Sequence, residues 1–153
     1  MEIEFLSNRK DKVEDVADMI YKGFVAETTS KMTYEEVVKF FSTTKEDALP
    51  VTLIALDDDV CLGTVSTFKN DLKVRPNYEP WLASLYVKPE HRSKFVGKKL
   101  TNKVIDVVRD LGFQILYLRT EDDGEYYKRL GWEYVETVSD EHFEEIHVFK
   151  VDS

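Results

Sequence analysis

The feature that most constrains this chain is a strand–turn–helix–strand run in its second half. Val96, Leu100, Val104, Val107, Val108 and Leu111 recur at helical spacing and form one apolar face. Gly112 follows them as a C-cap residue. Trp81 to Val87, stopped by Pro89, reads as a strand ahead of this helix, and Phe113 to Leu118 reads as a buried strand behind it. A helix with one apolar face must cover a sheet or another helix. The flanking strands supply the sheet.

The rest of the chain repeats these signals. Residues 2–6 alternate acid and apolar, as a short strand does. Val13, Val16, Ala17, Ile20 and Phe24 mark a helix, with Asp11 and Glu14 as candidate caps. Thr33 and Glu36 form a capping box for a second helix, whose apolar face carries Val37, Phe40 and Phe41. Val51 to Leu56 and Val60 to Phe68 flank the turn Asp57-Asp58-Asp59 and read as a hairpin. Gly63 inside it marks a bulge or a close approach. Residues 123–130 read as a short helix before Gly131, and Trp132 to Val138 and Ile146 to Val151 as closing strands. Helices between some strands and hairpins between others predict an α/β (α+β) fold. Its central sheet is mixed, largely antiparallel and flanked by helices, in a single domain over 1–153.

Charge narrows the partners. The 153 residues carry a net −9, the wrong sign for a dedicated nucleic-acid binder. The longest apolar run, Leu49 to Leu56, is far short of the roughly 20 residues a membrane helix needs. Cys61 is the only cysteine, which excludes an internal disulfide and a cysteine-rich zinc site. His91, His142 and His147 lack metal-ligand spacing, so no metal is expected, and the last two read as surface residues. The N-terminus carries acids where a signal peptide carries bases, so the expected location is cytoplasmic.

The charge is unevenly distributed. From Lys88 to Lys103 there are six bases and one acid, Glu90. They surround the start of the long helix, where the first amides have no internal partner and the helix dipole is positive. Such a start binds phosphate if the loop admits the ligand. Gly97-Lys98-Lys99 lacks the hydroxyl and the earlier glycine of a P-loop, and a dinucleotide fingerprint needs three glycines. From Trp132 to Phe149 there are six acids and no Lys or Arg. Those acids are expected either to be solvated or to attract a cationic amine.

The run Val87-x-Pro-Glu-His-Arg-Ser-Lys-Phe-Val-Gly-Lys-Lys-Leu resembles the acetyl-CoA-binding motif of the GNAT superfamily of N-acetyltransferases. That motif is Arg/Gln-x-x-Gly-x-Gly/Ala. Arg92 and Gly97 match its ends, and Phe95 replaces its middle glycine. A positive φ there would strain phenylalanine. Tyr126-Tyr127-Lys128-Arg129-Leu130-Gly131-Trp132 resembles the family's Phe-Tyr-x-x-x-Gly-Phe/Trp segment. The likeness is strongest from Trp81 to Val135.

The resemblance implies direct acetyl transfer from acetyl-CoA to a primary amine of a small molecule. It implies that Leu85, Tyr86 and Val87 pair with the pantetheine arm, and that the Leu85 amide polarises the thioester carbonyl. An oriented amide of this kind is worth roughly 2.7–4 kcal/mol. The backbone of Arg92, Ser93, Lys94, Phe95, Val96, Gly97 and Lys98 would hold the pyrophosphate. Tyr127 would be the catalytic acid for the leaving thiolate, with Tyr126 packed inside. The central strand has no acid, so the general base stays open among a relayed water, Glu27, Glu79 and Glu121. A protein lysine or N-terminal acetyltransferase and a non-catalytic acyl-CoA sensor are the alternatives. An exposed closing strand would support a homodimer.

Overall fold

The computed structural model describes all residues except Glu27, Thr29, Ser93 and Lys94. Its seven strands are β1 (Glu2–Phe5), β2 (Val51–Asp57), β3 (Val60–Phe68), β4 (Trp81–Val87), β5 (Ile115–Thr120), β6 (Glu133–Val138) and β7 (Ile146–Asp152). They form one sheet in the order β1-β2-β3-β4-β5-β7-β6. Every pairing is antiparallel except β4 with β5. The helices are α1 (Val13–Phe24), α2 (Tyr34–Ser42), α3 (Val96–Asp110) and α4 (Glu125–Arg129). This is the mixed, largely antiparallel, helix-flanked sheet that the residue pattern predicts.

Strand β2 shows why the sheet is covered on both faces. Val51, Leu53 and Ala55 pack in one cluster with Val96, Leu100 and Val104 of α3. Ile54 and Leu56 point the other way, against Val16, Ile20 and Val37 of α1 and α2. Side chains alternate along a strand, so a strand buried on both faces reads as an unbroken apolar run. The turn after β2 has Asp58 and Asp59 at φ 48 and 66, as a two-residue type I′ hairpin requires.

Helix ends account for the differences from expectation. The predicted Thr33–Glu36 capping box is present in both directions, at 3.1 Å each. The expected caps of α1 are not: Lys12 is the N-cap, no side chain caps it, and Asp11 pairs with Arg9 instead. The strand expected from Phe113 begins at Ile115. The end of α3 uses Phe113 instead: the Gly112 and Phe113 amides donate to the carbonyls of Arg109 and Val108. That is a Schellman closure, and it needs the φ of +96 that Gly112 supplies. No helix among the described residues is long and apolar enough to cross a membrane.

Candidate active site

Two features of β4 open the sheet. The first is its pairing with β5, which rests on a single register position, Trp81 with Tyr117. Beyond that point the strands separate. The second is a bulge. Ser66 faces Ala83 while Thr64 faces Tyr86, so Ser84 and Leu85 together oppose Val65. Ser84 takes a φ of 54. An inserted residue of this kind drops out of the ladder and re-aims its neighbours.

Two cavities lie on either side of this bulge and meet at Leu85. The first, about 600 Å³, is lined by Leu85, Tyr86 and Val87 of β4, by Arg92, Phe95, Gly97 and Lys98 at the start of α3, and by Tyr126. The second, about 390 Å³, lies where β4 and β5 part. Ala83, Ser84 and Leu85 form one wall, Arg119, Thr120 and Glu121 another, and Asp71 and Tyr127 enclose it.

The start of α3 leaves its first amides open on the groove. Its N-cap, Phe95, makes no side-chain capping bond, so the first amides keep no side-chain acceptor. Phe95 adopts φ 60 and ψ 19, the left-handed conformation in which glycine is usual, with 71 % of its surface exposed. The side chain points to water, which is how phenylalanine fits this position. A Cβ on Gly97 would sit 3.4 Å from Tyr126 Oη and 3.7 Å from Val87 Cγ2, so any larger side chain would fill the groove. Arg92 is held at the groove wall: its Nε–H donates to the Val87 carbonyl at 2.8 Å, and its guanidinium lies 5.4 Å from the Tyr86 ring centre. Val96 differs from its neighbours. Its side chain is buried in the core, so only its amide is available to a ligand. Ser93 and Lys94 lie outside the described residues.

The two tyrosines divide between the cavities. Tyr127 packs against the main core, with its ring edge-on to Trp132 at 6.1 Å. Burial, with small contributions from Tyr126 and Asp122, pushes its phenol up to about 12. Tyr126, expected inside, is 42 % exposed on the wall of the first cavity. In a helix of only five residues the two rings sit on different faces. Packing Tyr127 inward therefore turns Tyr126 out.

The carboxylates also sort themselves. Glu79 is exposed and does not line the second cavity, and Glu27 lies outside the described residues. Glu121 lines it but is paired with Arg119 at 3.1 Å. Asp71, from the loop between β3 and β4, is the residue the sequence reading missed. It is partly buried, and burial pushes its carboxyl up to about 6 against the opposing pull of Arg119. Four of the six acids of the closing segment have partners: Glu133 pairs with Lys150 and Glu141 with His142 at the surface, and Glu136 and Asp140 are tied more closely into the fold. Glu136 takes Arg75 at 2.7 Å and Tyr78 at 2.5 Å, which holds its carboxyl down at about 2. Asp140 accepts from the amides of His142 and Phe143. His142 is exposed, and His147 is half-buried, with its Nδ1 2.8 Å from Thr137 Oγ1.

The chain that carries this groove, bulged strand and tyrosine-lined cavity is similar to known proteins. Residues 14–132 match the model of the acetyltransferase (GNAT) family. The chain belongs to that family. N-alpha-acetyltransferase 30 of Schizosaccharomyces pombe is 29% identical over 124 residues, covering 78% of this chain and 77% of that protein. The ribosomal-protein-alanine N-acetyltransferase of Brucella melitensis has the same fold, with a TM-score of 0.79 at 12% identity and all of both chains covered. An aminoglycoside 6'-N-acetyltransferase solved with coenzyme A superposes with a TM-score of 0.75 at 17% identity, over 99% of this chain and 97% of the other. The protein is thus an acetyl-CoA-dependent acetyltransferase. Its bound donor supplies the activated acetyl group, and the chain's own residues orient and stabilise it.

Proposed function

We propose that this enzyme moves the acetyl group to a primary amine of a small molecule, by direct attack within the second cavity. The observation that carries this reading is the meeting of the two cavities at the Leu85 bulge. The first would hold the cofactor, with its pyrophosphate on the amides of Phe95 to Lys98 and its pantetheine arm along Leu85 to Val87. The second, at about 390 Å³, falls within the range of small-molecule sites, roughly 300–1,000 Å³. Its carboxylates suit an amine that arrives as ammonium.

The amine nitrogen attacks the thioester carbonyl carbon, the C–N bond forms, and the C–S bond breaks. The Leu85 amide stabilises the oxyanion formed between these events. Tyr127 faces the thiolate. With its phenol near 12 and an alkyl thiol near 8.5, outright proton transfer is uphill by roughly 5 kcal/mol. Tyr127 therefore acts first as a neutral hydrogen-bond donor to the developing sulfur charge.

A protein N-terminus is the second reading. The relative named N-alpha-acetyltransferase 30 favours it, because the likeness reaches 29% identity over most of the chain. Thiol release from acetyl-CoA, measured with alkylamines, arylalkylamines, polyamines and short peptides, separates the two. Turnover of free amines above peptides is expected, and the reverse order would replace the first reading by the second. Thermal stabilisation tests binding separately, since acetyl-CoA at 100 times its Kd adds about 2.7 kcal/mol. No stabilisation would sink both.

A further inference from the structure

We propose that the Asp71 carboxylate is the general base that takes the proton from the acceptor's ammonium. The inference rests on the acceptor reading above and adds a residue to it. Asp71 and Glu121 are the carboxylates of the second cavity, and they are not equivalent. Glu121 is exposed and occupied by Arg119. The Asp71 side chain has no hydrogen-bond partner among the described residues, and Asp71 lines the cavity that Leu85 and Tyr127 also line.

Its backbone is fixed from both sides. The Asn70 side chain donates to the Arg75 carbonyl at 3.0 Å and accepts from the Leu72 amide at 3.2 Å. Leu72 is fully buried beside Trp81, Ile146 and Val148. Arg119 Nη1 reaches the Asp71 carbonyl at 3.4 Å. A loop residue held between an amide clamp and a core anchor presents its carboxylate without reorganising. The charged and titratable groups facing it are Arg119 and Glu121 at the end of β5 and Tyr127 of α4. The cavity walls from β4 and α1 contribute none. Burial outweighs the attraction of Arg119, so the carboxyl titrates near 6. Above that pH it is an ionised base, and a base poised near the working pH is the most effective kind. Before attack, one ammonium proton passes to an Asp71 oxygen, directly or through one water, which frees the nitrogen lone pair; the second proton, released once the C–N bond has formed, ends on the departing thiolate.

The test compares wild type, Asp71→Asn and Glu121→Gln with ethylamine and with trifluoroethylamine. These are close in size, but only the first is an ammonium ion at neutral pH. Asp71→Asn should lower kcat/KM for ethylamine about 100-fold. It should erase the acid limb near pH 6 that wild type shows, and cost trifluoroethylamine several-fold at most. Glu121→Gln should keep that acid limb, whatever it costs in KM for the amine. Equal losses with both amines, or an acid limb retained in Asp71→Asn, would overturn the assignment. The variant is expected to fold, because a carboxyl raised in the folded state loses stability as pH rises from the unfolded value of about 3.9 to about 6. Asp71→Asn should thus melt no lower than wild type at pH 8. Two further outcomes keep the failures apart. Wild type that binds acetyl-CoA but acetylates neither these amines nor any other would count against the acceptor reading. An Asp71 carboxyl that titrates in the ordinary range by carbon-13 NMR would count against Asp71 alone.

Discussion

The two cavities that meet at Leu85 are built in opposite ways. The first comes mainly from one stretch, residues 85–98, with Tyr126 added from α4. The groups it offers a ligand under the proposed reading are largely backbone: the amides of a helix start and the edge of a bulged strand. The second draws Asp71, Ser84, Arg119, Glu121 and Tyr127 from four separate segments. Its chemistry lies in side chains. A site made of contiguous backbone tolerates many residues, and so Phe95 can stand in place of glycine. A site made of convergent side chains depends on each one.

That contrast predicts the largest effect at a single oxygen atom. Tyr127→Phe should lower kcat about 100-fold with little change in KM for acetyl-CoA, whereas Tyr126→Phe should change kcat less than about threefold. Equal effects would erase the division of the two tyrosines between the cavities. Gly97→Val comes next. Its side chain enters the groove, so the stabilisation by acetyl-CoA at 100 times the wild-type Kd should fall from about 2.7 kcal/mol to near zero, while the free protein keeps its own melting point.

Smaller effects should separate the two sides further. Glu136 ties Arg75 and Tyr78, on the loop that carries Asp71, to β6. Its carboxyl is depressed to about 2 from an unfolded value near 4.3, so its contribution is present above that value and lost as pH falls toward 2. Glu136→Gln should lower the melting temperature at pH 7 and flatten its decline between pH 4.5 and 2. It should also raise the acceptor's KM a few-fold and leave that of acetyl-CoA unchanged. Phe95→Gly should have the smallest effect. Relief of a left-handed phenylalanine, roughly 1–2 kcal/mol, is offset by about 0.5–1 kcal/mol of glycine entropy. The melting temperature should rise by about 1–4 °C, with KM for acetyl-CoA within threefold. A large rise in that KM would mean that the exposed ring contacts the cofactor.

Much of the fold could be read directly. The apolar face of α3, the Thr33–Glu36 box and the Asp58-Asp59 turn are local signals, and each appears in the structure. Where the reading missed, a competing local bond won. Arg9 took Asp11 from the cap of α1, and the Schellman closure took Phe113 from β5. Tyr126 was misplaced because two adjacent aromatics in a short helix cannot both face the core, and nothing local says which one does.

What the sequence determined by itself is the proposed donor side: helix-start amides behind a strand, bases around them, and a glycine at the groove floor. All of these lie within a few residues of one another, where chain geometry leaves little choice. What only tertiary structure decided is the proposed acceptor side. Asp71 is 56 positions from Tyr127 in the chain, in a loop with no motif. It becomes a cavity residue because Leu72 is buried under Trp81 and because β4 and β5 part after a single pairing. Burial also sets its proton affinity, and burial is a property of the packed molecule rather than of any stretch of sequence.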